Sequence, residues 1–221
     1  MTALTFTLKK NPTFKVDCSQ LTPDKLAGMS LDKILEITLI NNLKVIDLFK
    51  VSGNNFDNIL FKKSTSQLDF IGHKMARGNI TIDGDCGDFL GAKMYNGSVI
   101  CHGNAGDRVG DKMRRGLILI DGSAGDYCGS QMIAGTIGVF EKVGKYAGFG
   151  MKRGTILLTK LPKLHATIQD CGTHTLPFLT LLFASFKPLS TLFNNIQSQR
   201  MQRFGGDLAC GGNGEILLLL T

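Results

Sequence analysis

Residues 72–91 read GHKMARGNITIDGDCGDFLG, residues 91–110 read GAKMYNGSVICHGNAGDRVG, and residues 110–129 read GDKMRRGLILIDGSAGDYCG. Set under one another, they are one pattern written three times at a step of nineteen residues. The step extends in both directions. Gly53, Gly72, Gly91, Gly110, Gly129 and Gly148 share one register, and Met75, Met94, Met113, Met132 and Met151 share another. Further glycine registers are Gly78, Gly97, Gly116, Gly135 and Gly154; Gly87, Gly106, Gly125 and Gly144; and Gly84, Gly103 and Gly122. A fixed period of this length is the mark of a repeat architecture, in which each unit buries its apolar side against its neighbours.

After each glycine of the Gly78 register two positions alternate as apolar: Ile80 and Ile82, Val99 and Cys101, Ile118 and Ile120, Ile137 and Val139, Ile156 and Leu158. Period two means strand. Nineteen residues are too few for a strand, a helix and two turns, so successive strands are expected to stack in parallel through tight corners, where glycine tolerates positive φ and close backbone approach. Equivalent residues would lie about 4.8 Å apart, giving roughly five steps and a core about 24 Å long. The predicted fold is all-β dominated: a right-handed parallel β-helix (solenoid) over residues 51–160. An N-terminal cap of one strand and short helices, 1–50, would cover one end, with a helical segment and closing strand, 161–221, at the other.

The flanks suit that role. Met1 to Leu8 alternates as a strand and then meets Lys9 and Lys10, unlike a signal peptide. Thr22-Pro23 starts one short helix, with proline tolerated in the first turn, and Ser30 starts a second. Phe178, Leu181 and Leu182 belong to a helix apolar almost all round; Leu189, Leu192, Phe193 and Ile196 continue at helical spacing after Pro188, and a strand from Glu215 to Leu220 closes the chain.

At 221 residues one substantial core is expected. A net charge of +7 points to an anionic ligand or partner; nucleic acid is disfavoured because aromatics make up only 8% and there is no Trp to stack on bases. Six cysteines, Cys18, Cys86, Cys101, Cys128, Cys171 and Cys210, form no C-x-x-C pair, which fits free cytosolic thiols and no zinc site. The longest apolar stretch, Leu176 to Phe186, falls well short of a membrane span of roughly 20 residues.

The blocks at 84–91, 103–110 and 122–129 resemble the repeat of the glutamate synthase C-terminal β-helix superfamily, and within it the β-helical connector subunit of formylmethanofuran dehydrogenase. Three flanking segments, Leu21-Thr-Pro-Asp-Lys-Leu-Ala-Gly, Asp47-Leu-Phe-Lys-Val-Ser-Gly and Asp170-Cys-Gly-Thr-His-Thr-Leu, are similar to the connector subunit of the bacterial formyltransferase/hydrolase complex. Members of the family often carry an extra turn in the middle of the repeat, which this chain lacks. The resemblance implies a cytoplasmic hetero-oligomer of one-carbon metabolism and formaldehyde oxidation. Such a complex moves a formyl group between tetrahydromethanopterin and a methanofuran-type carrier and releases formate. Its catalytic centres belong to an amidohydrolase-like hydrolase subunit and a formyltransferase subunit, so this chain is expected to be a non-catalytic scaffold that at most shares the carrier. Two other readings stay open: a direct contribution to a formylmethanofuran dehydrogenase active site at a subunit interface, and a free-standing polyanion-binding protein.

The outer positions carry the remaining candidates. Lys74, Lys93 and Lys112 share one register, Arg77, Arg115 and Arg153 another, with Arg114 and Lys152 beside them. They read either as a solvated positive face or as an electrostatic track for the anionic tail of the carrier. Asp69, Asp88, Asp107 and Asp126 stack four carboxylates, whose repulsion of about 0.9 kcal/mol per pair in water corner hydrogen bonds can offset. Corner capping and a bound cation are the two explanations. Ile100, Leu117, Leu119 and Leu157 are apolar where a lone repeat would be polar, marking either an interface or a platform for the chain's own C-terminal helices. Asp170, Cys171 and His174 crowd one segment, as a local turn or as a reactive thiol site. His73, His102, His165 and His174 have no paired metal spacing.

Overall fold

The computed structural model describes residues 2–40 and 42–220; Met1, Asn41 and Thr221, which the predicted opening strand, cap and closing segment include, lie outside the described residues. Strand β1 (Ala3–Leu8) opens the chain and buries Leu4, Phe6 and Leu8 on one face, as its alternation requires. The short strand β2 (Val16–Asp17) follows. Helix α1 (Pro23–Leu26) has proline in its first turn, and in α2 (Leu31–Leu35) the Ser30 hydroxyl accepts the Lys33 N–H at 3.4 Å. Then come β3 (Thr38–Ile40), β4 (Leu43–Lys44), α3 (Val45–Leu48) and β5 (Phe49–Ser52).

The repeat supplies the middle: β6 (Asn55–Ser64), β7 (Leu68–Asp69), β8 (Asn79–Gly84), β9 (Ser98–Cys101), β10 (Leu117–Ile120), β11 (Thr136–Val139) and β12 (Arg153–Leu158). From β8 to β12 each strand pairs in parallel with the residue nineteen further on, so that Ile80, Val99, Ile118, Ile137 and Ile156 form one buried column. Between strands the chain runs through turns in which non-glycine residues also take positive φ, as at Phe70, Phe89, Arg108, Tyr127 and Tyr146. Met75, Met94, Met113, Met132 and Met151 are fully buried.

The C-terminal part contains β13 (Gln169–Thr175), α4 (Phe178–Phe186), β14 (Arg200–Gly206) and β15 (Asn213–Leu219). Strand β15 pairs in parallel with β12 and continues its columns, Gly154 beside Gly214 and Ile156 beside Ile216, after an excursion of some sixty residues. The described strands of the main sheet lie in the order β13-β14-β15-β12-β11-β10-β9-β8-β6-β1-β5.

This corrects the expected right-handed parallel β-helix. Eleven of the described strands assemble into one open, mixed sheet with few helices, while β2 pairs with β7 and β3 with β4 in two small sheets of their own. The reason is local. From β8 to β12 each repeat contributes one extended segment of four to six residues to this sheet, while the rest of the repeat bends through turns; at both ends antiparallel neighbours, β5 on β1 and β13-β14 on β15, make the sheet mixed.

The outer face of the sheet is covered. Leu119, Leu157 and Leu217 pack with Met201 against Leu179, Phe183 and Phe186 of α4 and against Phe193. Gly138 makes this possible: a Cβ there would lie 2.8 Å from Leu119 and 2.9 Å from the Phe193 ring, so its hydrogen is the socket for that ring. Leu119 and Leu157 are fully buried, Ile100 is nearly so and Leu117 is partly buried, and Leu117, Leu119 and Leu157 pack against the chain's own C-terminal segment. The second helix expected through Leu189–Ile196 is a single 3-10 turn, Leu192–Asn195. Asp121 pins it, its Oδ1 accepting both the Thr191 hydroxyl (2.6 Å) and the Leu192 N–H (2.8 Å).

Candidate functional site

Two columns of the repeat flank a groove. One runs through Lys74, Lys93 and Lys112 to Gln131, with φ of 57°, 56°, 55° and 52°; this left-handed backbone belongs to the turn that precedes each buried methionine. The other runs through Tyr95, Arg114, Ile133 and Lys152. Between them lies a cavity of about 680 Å³, whose lining includes Lys93, Lys112, Arg114, Lys152, Tyr95 and Ile133. Each lysine at positive φ costs about 1 kcal/mol relative to glycine, an expense the turn bears while turning a cation outward. The Arg114 guanidinium carbon sits 5.4 Å from the centroid of the Tyr95 ring, which holds that charge over the groove wall.

Four of the eight sequence candidates, Lys93, Lys112, Arg114 and Lys152, therefore converge on one cavity. Lys74, Arg77, Arg115 and Arg153 do not line it. Arg77 lies 4.0 Å from the Asp57 carboxylate, and Arg153 opens β12 opposite Asn213.

The end of the groove where the repeat runs out is built from residues that no spacing announced. Phe149, Gly150, His165, Thr167, Asp207, Ala209 and Cys210 complete the lining. Asp207 is 2% exposed; its Oδ2 accepts the Gly150 N–H at 2.7 Å and its Oδ1 the Ala209 N–H at 3.0 Å. Burial works against its charge, but hydrogen bonds from Thr167, Gly150 and Ala209, with His165 nearby, outweigh it and hold the carboxyl below the usual range. The Thr167 hydroxyl also lies 2.7 Å from His165 Nδ1, and the His165 and Phe149 rings are 5.8 Å apart. The thiol of Cys210 is exposed at the rim.

The other candidates resolve into structural roles. Each aspartate of the stack accepts a backbone N–H from the next step: Asp69 from Asp88 (2.8 Å), Asp88 from Asp107 (2.9 Å), Asp107 from Asp126 (2.8 Å) and Asp126 from Lys145 (2.7 Å). A second ladder, missed in the sequence, runs from Asp85 to the Asn104 N–H (2.7 Å) and from Asn104 to the Ser123 N–H (2.9 Å). Asp170 accepts the Gly172 N–H at 2.8 Å, and His174 Nε2 bonds the Cys171 carbonyl at 2.8 Å, making a turn with Gly172 at φ 80°. His102 pairs with Asp121 at 2.8 Å. His73 is held below the ordinary histidine range by burial first, then by Lys74, Lys93 and Lys25. Among the described residues no three His, Cys, Asp or Glu side chains converge as a metal-ligating cluster, and no helix is long and apolar enough to cross a membrane.

No family model matches the chain, and no curated protein does. Among solved structures, the chain is similar to one in the X-ray crystal structure of the formyltransferase/hydrolase complex (FhcABCD) from Methylorubrum extorquens in complex with methylofuran. The identity is 28% and the TM-score 0.66, over 98% of this chain and 100% of that one.

Proposed function

We propose that this chain is a component of a formyltransferase/hydrolase complex, occupying the place of its connector subunit. In this reading it serves as a non-catalytic scaffold whose groove holds the anionic tail of the methanofuran-type carrier. The observation that carries the reading is end-to-end similarity, at 28% identity, to a chain of such a complex that contains methylofuran. The groove adds an independent chemical argument. Lys93, Lys112, Arg114 and Lys152 face one cavity that holds a single carboxylate, Asp207, whose oxygens are already engaged by backbone and Thr167 donors. Exposed charge pairs contribute about 0.2–1 kcal/mol each, so four cations hold a multiply charged tail with an affinity of about 1–4 kcal/mol that falls as salt rises. The catalytic steps, transfer from tetrahydromethanopterin and release of formate in the cytoplasm, fall to the amidohydrolase-like and formyltransferase partners.

Purification from the native source tests the first half. The chain is expected to bring those two partner types with it, and by itself to transfer no formyl group; recovery as a lone monomer overturns the assignment. For the second half, Lys93→Asn, Lys112→Asn, Arg114→Gln and Lys152→Gln together are expected to abolish salt-sensitive binding of tetraglutamate to the complex. Asparagine suits the left-handed backbone at residues 93 and 112. Undiminished binding removes the groove from the proposal.

A further inference from the structure

At the end of the sheet opposite β13 the chain gathers cations that it leaves unbalanced. Thr7 of β1 stands between Lys50 of β5 and Lys62 of β6, and Lys62 in turn faces Asp83 of β8. Phe6, Phe49, Phe61 and Ile82, the residues just before these four in β1, β5, β6 and β8, are buried, so the row Lys50, Thr7, Lys62, Asp83 lies on the outer face. Lys9 and Lys10 follow β1, and Lys63 follows Lys62 with φ of 56°. Lys9, Lys10, Lys50, Lys62 and Lys63 are all exposed, and among the described residues none of them is ion-paired, whereas Lys15, Lys44 and Lys160 each hold a carboxylate. The acids close to them in register or in chain are Asp83 and Asp47, and Asp47 already accepts the Lys44 N–H at 2.8 Å. A lysine on an edge strand needs no partner: β5 is the last strand of the sheet, and Lys50 guards its open edge against stray pairing. That does not account for Lys62, two strands in, or for Lys9, Lys10 and Lys63 at the strand ends. The Lys9 ammonium bonds the Ile46 carbonyl, and the Ile46 side chain, 42% exposed, stands at the margin of the patch.

We infer that this patch, formed by Lys9, Lys10, Lys50, Lys62 and Lys63, docks an acidic face of a partner protein. A second copy of the chain is repelled there, because it presents the same lysines and carries the same net charge of +7. A small anion engages only part of the patch: neighbouring strands lie about 4.8 Å apart, so Lys50 and Lys62 leave the sheet about 10 Å from each other. One apolar side chain at the margin is too little to anchor the face in a lipid bilayer. A broad, flat array of cations fits the carboxylates of a protein surface, and Ile46 supplies an apolar contact beside them. None of these residues lines the groove. This rests on the proposed reading of the chain as a subunit of a complex and adds the face that a partner takes.

The test is zero-length cross-linking of the complex purified from the native source. A water-soluble carbodiimide condenses a lysine amine with a carboxylate in contact with it, taking up the water released, and mass spectrometry locates the new amide. Amides from Lys50, Lys62 or Lys63 to Asp or Glu side chains of one partner subunit are expected. In parallel, Lys50→Glu with Lys62→Glu is expected to weaken retention of the chain in the complex about tenfold or more, whereas Lys50→Arg with Lys62→Arg stays within about twofold of the parent. Amides only to carboxylates of this chain, or none, from a complex that stays whole overturn the inference and leave the subunit reading standing. Capture of the chain by vesicles of phosphatidylcholine and phosphatidylserine, abolished by the Glu pair and without an inter-chain amide, overturns it in favour of a membrane. A chain recovered alone removes the subunit reading, and the inference with it.

Discussion

Replacing Gly125→Ala is the sharpest test of how the steps of the repeat are joined. A Cβ at Gly125 would lie 2.1 Å from Asp107 Oδ1, 2.8 Å from the Gly106 carbonyl carbon and 2.9 Å from the Asp107 nitrogen. Gly125 has no positive φ, so the objection is purely steric. Relief requires Asp107 to swing away, which breaks its 2.8 Å bond to the Asp126 N–H, and the two strand-like segments to part by several tenths of an ångström. Loss of the carboxylate bond costs about 1–2 kcal/mol, by analogy with a helix cap, and overpacking adds about 1–3 kcal/mol, for about 2–5 kcal/mol in all. Asp107→Ala alone removes only the first part, about 1–2 kcal/mol, and Asp107→Asn, which keeps an acceptor oxygen, costs less. Urea denaturation of the three variants and of the Gly125→Ala, Asp107→Ala pair measures the coupling. Because two of the three close atoms are backbone, the pair is expected to recover only part of the loss. Should Gly125→Ala unfold within about 0.5 kcal/mol of the parent, the contact geometry and the stapling argument built on it are refuted.

Phe193→Ala empties the socket above Gly138 and is expected to cost about 3–5 kcal/mol; a urea midpoint close to the parent's would show that α4 and the 3-10 turn do not seal the sheet. Of the six thiols only Cys171 and Cys210 are expected to react quickly with an aromatic disulfide at neutral pH. Burial pushes Cys128 up to about 12 and Cys18 higher still, and Cys86 is raised by its bond to Cys101 and by burial, so a third fast thiol would contradict the packing. Acid is expected to destabilise the chain in two stages. His73, lowered in the fold, favours the neutral ring, so its contribution is complete above the unfolded value of about 6.5 and declines as the pH falls below it. Asp207, lowered likewise, contributes above about 3.9 and is lost as the pH falls through its folded value. His73→Phe is expected to flatten the stability profile just below about pH 6.5, and an unchanged slope counts against a half-buried ring held neutral by burial and its lysine neighbours.

Much of the molecule was readable from residue spacing. The period at Gly72, Gly91, Gly110, Gly129 and Gly148 gave the register of β8 to β12, because a strand pairs with the next copy of itself wherever the apolar pattern repeats. The same period placed Lys93 and Lys112 in one column and Arg114 and Lys152 in the next, since equal steps along the chain become neighbours in space. It also grouped Arg115 and Arg153 with them, and these do not line the cavity: a shift of one residue at a turn sends a side chain to a different wall.

What had no period could not be read. The open, mixed sheet depends on antiparallel strands at its two ends, and β13, β14 and β15 come from a segment with no copy elsewhere in the chain. Leu119 and Leu157 looked equally suited to a partner or to the chain's own helices, and only the folded chain shows Phe193 seated over Gly138. His165, Thr167 and Asp207 stand up to forty-two positions apart and meet only because β15 returns to extend the columns of β12. Repetition makes local spacing equivalent to distance; wherever the chain leaves its repeat, contacts are set by how the excursion packs, which pairs residues remote in sequence.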